Sequence, residues 1–260
     1  MIILEPYGGL ANRMRAVASA LSLAREYKKK LLVLWPMNES LNCGFYKLFV
    51  PIEGVNIICC TPLFYRIFRI IAGAVCKWSF PSAQSSNVGQ IIETIKNSGS
   101  VYISSCYQFY SLDGYKCFTP VDAILDRVSS ILPENCTNLV GVHIRRTDNI
   151  ESITMSPTEL FEHAIEEEIE NNPRVQFYLA TDSPEEEQRL ISVFGPRIIV
   201  NTCKDLRRDS QQGIVDALVD LICLSRTTKI FGSFWSSFSE TAAIMGSEKE
   251  LVIIKNEKKA

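Results

Sequence analysis

Apolar positions along this chain switch repeatedly between short continuous runs and a helical spacing. Ile2 to Leu4 is such a run, Gly8-Gly9 interrupts it, and Val17, Ala20, Leu21 and Ala24 then recur on one face of a helix predicted from Asn12 to Lys30. Leu31 to Trp35 follows as a short, unalternating strand of the kind covered on both faces in a parallel sheet. Residues 36–135 are less regular: Ser82 to Asn87 reads as a loop, Ile91 to Asn97 as a helix, Val101 to Ser104 as a strand, and Val121 to Leu132 as a helix closed before Pro133.

Beyond Pro133 the alternation becomes strict. Strands are predicted at Leu139 to Ile144, Val175 to Ala180, Ile198 to Val200, Lys229 to Phe231 and Leu251 to Ile254, separated by helices at Thr158 to Glu170, Pro184 to Phe194, Gln212 to Ser225 and Phe238 to Met245. The fold class is therefore α/β. Two Rossmann-like lobes facing a cleft are expected, residues 1–136 and 137–260, with ligands at the carboxyl ends of the strands.

Composition narrows the function. At 260 residues, 47% hydrophobic and 22% charged, the chain builds an ordinary core and needs no metal staple. With 27 basic and 29 acidic residues it lacks the broad cationic footprint of a nonspecific nucleic-acid binder, so an anion site must be local. Nine cysteines, at 43, 59, 60, 76, 106, 117, 136, 203 and 223, contain no CxxC pair and read as reduced small hydrophobes, which together with the absence of a signal-peptide pattern points to the cytoplasm. The apolar stretch LFYRIFRIIAGAVCKW, residues 63–78, is interrupted by Arg66, Arg69 and Lys77 before it reaches spanning length. Burial against the rest of the protein is its expected fate, with a seat on a membrane's inner face or a grip on a lipid-linked acceptor as the alternative; the basic tail, Lys255 to Lys259, adds to that alternative.

Four clusters carry candidate chemistry. In GVHIRRTDN an apolar strand ends in His143, Arg145, Arg146, Thr147 and Asp148; adjacent arginines point to opposite sides of an extended backbone, so one can face an anion while the other pairs with a carboxylate. A salt bridge holding the strand end is the competing reading. In KIFGSFWSSFSETA a strand, Gly232 and a serine-rich loop lead into a helix, which is either plain capping by Ser236 or Ser237 or an anion site made by free helix-start amides. GGLANRMR offers Gly9, Asn12 and Arg13 at a helix start but matches neither dinucleotide nor ATP loops. Asp216 and Asp220 share a face of an apolar helix and need partners there, while Asp182 ends a strand on the cleft side. No DxD pair is present, so no metal site is expected.

The order GGLANRMR, VHIRRTDN, YLATDSPEE and DLICLSRTTKIFGSFWSSFSETA resembles the fucosyltransferase superfamily, which spans α1,2-, α1,6- and protein O-fucosyltransferases, and HIRRTD resembles the α1,6 type most. The resemblance implies a glycosyltransferase B fold with a C-terminal donor lobe and an N-terminal acceptor lobe. It implies an inverting, metal-independent enzyme using GDP-fucose or a related GDP-sugar as donor substrate, without a further cofactor, and a glycan or lipid-linked glycan as acceptor. Residue by residue, it places Arg145 on the β-phosphate, His143 on the nucleoside, Asp220 on guanine, and Ser236 or Ser237 on the diphosphate. Arg146 and Asp148 complete the catalytic motif, and Gly9, Asn12 and Arg13 close over the donor; apart from the resemblance, an attacking hydroxyl needs a carboxylate for its proton, for which Asp148 is the candidate. Ala11 stands where the commonest pattern, GGLGN, has glycine. A GDP-sugar or glycan-binding protein of the same fold without turnover is the alternative.

Overall fold

The glycine break after the first strand sets the frame of the amino-terminal half. The computed structural model describes the chain apart from residues 77, 98, 99, 203, 248 and 257–260, and for side chains also apart from 62, 72–75 and 78. Most of the basic tail, the Cys203 thiol and the Lys77 interruption thus lie outside the described residues. β1 (Ile2–Pro6) is buried along its whole length, and α1 (Leu10–Glu26) begins directly on Gly9, with Gly8 held at φ +80, where only a residue without a β-carbon sits unstrained. β2 (Leu31–Pro36), β3 (Val55–Cys60), β4 (Trp78–Phe80) and β5 (Val101–Ser105) join β1 in a parallel sheet of order β3-β2-β1-β5-β4. α2 (Pro62–Val75) and α3 (Val88–Asn97) connect its later strands. The irregular pattern of residues 36–60 hides an aromatic knot in which Phe45 packs edge-on to Trp35 at 5.4 Å and against Phe49 at 5.3 Å.

The expected burial of residues 63–78 is only half realised. Tyr65 and Phe68 pack onto the cluster of Ile3, Leu34, Cys60, Cys76 and Tyr102, whereas Leu63, Phe64, Ile67, Ile70 and Ile71 are exposed. Among the described residues no helix is long and apolar enough to cross a membrane.

The chain divides into two compact units, residues 1–122 with 207–215, and residues 123–206 with 216–260. The change of unit thus comes at residue 122 where 136 was expected. The reason is α4 (Asp122–Ile131), which is tied to the second unit by an Arg127–Asp216 ion pair of 2.6 Å whose carboxylate is fully buried.

The second unit follows the predicted alternation. β6 (Leu139–Ile144), α5 (Ile150–Met155), α6 (Thr158–Asn171), β7 (Gln176–Thr181), α7 (Pro184–Phe194), β8 (Ile198–Ile199), α8 (Gln211–Ser225), β9 (Lys229–Ser233), α9 (Ser237–Met245) and β10 (Glu250–Ile254) succeed one another, α8 starting in the segment that belongs to the first unit. The sheet is parallel, in the order β10-β9-β6-β7-β8. Its core gathers Val140, Val142, Phe161, Phe177, Leu179 and Phe231. Chain direction along the sheet reverses between β6 and β9, and the crevice beyond the carboxyl ends of two such strands is where α/β sheets hold ligands.

Candidate functional site

The switch point of the second unit is drawn together by one hydroxyl. Ser233 Oγ accepts from the Arg145 amide at 3.0 Å and donates to the His143 carbonyl at 3.1 Å, joining the ends of β6 and β9. Gly232 lets α9 close on β9, since a β-carbon there would come within 2.7 Å of Ser239 Oγ. The loop between them, residues 234–236, carries Trp235 at φ +54, a left-handed conformation costing a non-glycine residue roughly 1–2 kcal/mol. α5 and its flanks hold it there: Asn149 Nδ2 donates to the Trp235 carbonyl at 3.0 Å, Ser152 Oγ to the Phe234 carbonyl at 2.5 Å, and the Phe234 amide donates to Ser156 Oγ at 2.8 Å.

Plain capping is not what the serines do. Ser236 occupies the N-cap of α9, yet its side chain makes no capping bond and lies instead 3.4 Å from His143 Nδ1. Ser239 turns back to the Ser236 carbonyl at 3.2 Å. The first turn of α9, with Ser237 half-buried at its start, is therefore left without a side-chain cap, and its amides and positive dipole end suit an anion. α7 shows the contrast: Ser183 caps it by accepting from the Glu186 amide, and three glutamates fill its first turn.

His143 lies under this loop, buried and stacked on Phe238 at 4.9 Å. Burial, reinforced by the charge of Arg145, pushes its pKa down from 6.5 to about 3, so it is neutral at physiological pH. Between those two values the unfolded chain binds a proton that the folded chain refuses. The contribution is fully present above pH 6.5 and is lost as pH falls towards 3. His143→Gln is expected to flatten the fall of the urea midpoint between pH 6.5 and about 4.5; an unchanged slope would show that another group sets it.

The two arginines divide the two readings of their motif between them. Arg145 is partly exposed and faces Asp182 at 3.2 Å and Asp148, both near the surface. Arg146 is held on every nitrogen: Nε donates to Glu186 at 3.0 Å, Nη1 to the Arg145 carbonyl at 2.8 Å, and Nη2 to the Ser156 carbonyl at 3.0 Å and Thr158 Oγ1 at 2.8 Å. Expected from the sequence in the catalytic group, Arg146 is engaged here by the protein itself and locks β6 to α6 and α7. Asp182 braces the same turn, accepting from the Arg146 amide at 2.7 Å and from Thr147 Oγ1 at 2.7 Å.

Two further residues expected at the donor are buried with partners of their own. Arg13, expected to close over a donor, is fully buried: Nε donates to the Gly8 carbonyl at 2.8 Å, Nη1 to the Pro36 carbonyl and Nη2 to Asn38 Oδ1 at 2.9 Å, with Trp35 beneath at 5.3 Å. Desolvation lowers its pKa to about 9, and it fastens α1 to β2. Asp220, expected on guanine, lies beneath the middle of β7, where Tyr178 donates to it at 2.6 Å and Lys204 stands 3.8 Å away. Gly9 and Asn12 remain partly exposed at the start of α1, at the carboxyl end of β1. Sequence reasoning missed Asn149, Ser152 and Ser156, although Asn149 followed at three residues by Ser152 is a capping spacing, and here the Asn149 side chain does accept from the Ser152 amide. It also missed Glu5, a carboxylate inside an apolar strand: burial raises its pKa, the Tyr65 hydroxyl donates to it, and its second oxygen finds no hydrogen-bond partner among the described residues.

Fold and site together define a Rossmann-like α/β protein with an uncapped helix start at the switch point of its second unit. The same fold occurs in NodZ α-1,6-fucosyltransferase co-crystallized with GDP, 17% identical over 94% of this chain and 92% of that one, with a TM-score of 0.64. It occurs also in a FUT1 variant from Arabidopsis thaliana in complex with GDP, at 13% identity, 99% and 71% coverage and a TM-score of 0.64. POFUT1 in complex with GDP-fucose is similar at 12% identity, 97% coverage of each chain and a TM-score of 0.58. No protein-family model and no curated protein sequence matches the chain.

Proposed function

We propose that this protein is a GDP-fucose-dependent glycosyltransferase, inverting and metal-independent, whose second unit binds the donor and whose first unit receives a glycan or lipid-linked glycan hydroxyl. The observation that carries the reading is the uncapped start of α9 at the β6/β9 switch point, where the Arg145 backbone joins Ser233 and the Arg145 charge is felt by His143 beneath the loop. The fucosyltransferases of the same fold, solved with GDP and GDP-fucose, supply the identity of the nucleotide.

The chemistry follows from where charge develops. As the bond from the anomeric carbon to the phosphate breaks, negative charge grows on GDP, and the Arg145 guanidinium and the α9 amides stabilise it more in the transition state than in the ground state. Arg145 rests against Asp148 and Asp182. A diphosphate competes for that guanidinium, which frees Asp148 to take the proton of the attacking hydroxyl. His143, neutral and stacked, holds Ser236 off the helix start and keeps the α9 amides open.

In a thermal-shift panel GDP and GDP-fucose are expected to raise Tm, by about 2.7 kcal/mol of stabilisation at 100 times Kd, or about 5–10 °C for a chain of this size. Equal response to UDP compounds would overturn the donor assignment. Release of GDP from GDP-fucose separates a transferase from a binding protein, in which GDP-fucose stays intact with every acceptor.

A further inference from the structure

We infer that α2 is a membrane-surface helix that seats the first unit on anionic lipid. At 100° per residue, Leu63, Phe64, Ile67, Ile70 and Ile71 fall within an arc of roughly 120°. Their exposures are 69, 59, 46, 73 and 50%. The opposite side is accounted for, since Tyr65 and Phe68 pack onto the sheet cluster. Five large apolar side chains side by side in water are a binding surface rather than the scatter of single exposed hydrophobics that every protein shows.

Charge selects the occupant. Arg66 is exposed on one flank of the stripe, Arg69 lies on the other side of the helix beside Tyr65 and Glu5, and α2 contains neither Asp nor Glu. A second copy laid on the same stripe would bring a second Arg66 guanidinium and no carboxylate from its own α2. A bilayer with anionic headgroups supplies both an apolar layer for the stripe and phosphates for Arg66, whose alkyl stem reaches past the apolar residues to the headgroups. At 14 residues the helix is too short to span, so it lies in the interface.

Co-sedimentation of the full chain with phosphatidylcholine vesicles, with and without phosphatidylglycerol, tests this. Binding is expected with phosphatidylglycerol, weakening as salt is raised, and only weakly or not at all without it. Ile67→Glu/Ile70→Glu is expected to reduce it to background, and Arg66→Ala to weaken it about fivefold. Circular dichroism melting confirms that these surface variants fold. The proposal is overturned if the wild type stays in the supernatant, if the two vesicle types bind equally, or if the double glutamate variant sediments like the wild type. It is overturned equally if sedimentation velocity shows a dimer that this variant dissolves, which would assign the stripe to a second copy.

Discussion

Arg145→Ala is expected to lower kcat for fucosyl transfer on the order of 10²–10³-fold, the cost of removing one preorganised stabiliser of developing negative charge. GDP binding weakens with it, because the guanidinium meets the diphosphate in the ground state as well. The fold should persist. Arg145 is partly exposed, Asp148 is half exposed, and Asp182 keeps the Arg146 amide and the Thr147 hydroxyl as partners, so the variant leaves no buried charge without a partner. Arg145→Lys is expected to recover only part of the rate, since an ammonium lacks the planar fork that meets two phosphate oxygens at once. Single-turnover rates with GDP-fucose, alongside GDP titration and a melting curve, check all three statements. Wild-type turnover in the alanine variant would remove Arg145 from the chemistry.

Its neighbour is expected to behave in the opposite way. Arg146→Ala should cost about 3–5 kcal/mol of stability, the usual effect of removing one member of a buried ion pair. The reason is local: Arg146 and Glu186 are 11 and 16% exposed, and the same guanidinium satisfies the carbonyls of Arg145 and Ser156 and the Thr158 hydroxyl. Chemical denaturation should show a lower midpoint with an unchanged slope. At a temperature where the variant is fully folded, kcat should stay within an order of magnitude of wild type. A large loss of kcat without loss of stability would restore Arg146 to the catalytic group.

This pair also shows how far the sequence could be read. The arginine doublet at a strand end was legible as one anion-facing and one structural guanidinium, because adjacent residues in an extended chain point to opposite sides. Which was which depended on α6 and α7, whose Thr158 and Glu186 lie far along the chain and reach Arg146 only through tertiary packing. The strict alternation after Pro133 located the second sheet closely, since parallel strands buried on both faces leave continuous apolar runs. Within the irregular stretch of residues 36–135, the part from β3 to β4 was opaque for the converse reason. β3 has partly exposed positions, β4 is three residues long, and α2 turns apolar side chains towards solvent, so no single period describes them. Arg13 and Asp220 show the same limit: a charged residue in a motif reads as a ligand contact, and the carbonyls around Arg13 and the Tyr178 hydroxyl on Asp220 are partners that only tertiary packing reveals.

The interrupted layout of the first unit bears on how the chain is made. Residues 207–215 belong to that unit, and they are held there by hydrogen bonds from the Asn42 amide to the Arg208 carbonyl at 3.1 Å and from Asn42 Nδ2 to the Asp209 carbonyl at 2.8 Å. On the ribosome, residues 1–122 therefore emerge with a piece missing. At roughly 5–20 residues per second, on the order of ten seconds pass before it arrives, and β6, β7 and β8 appear in the meantime. The amino-terminal half therefore completes its contacts only after most of the second unit has been synthesised.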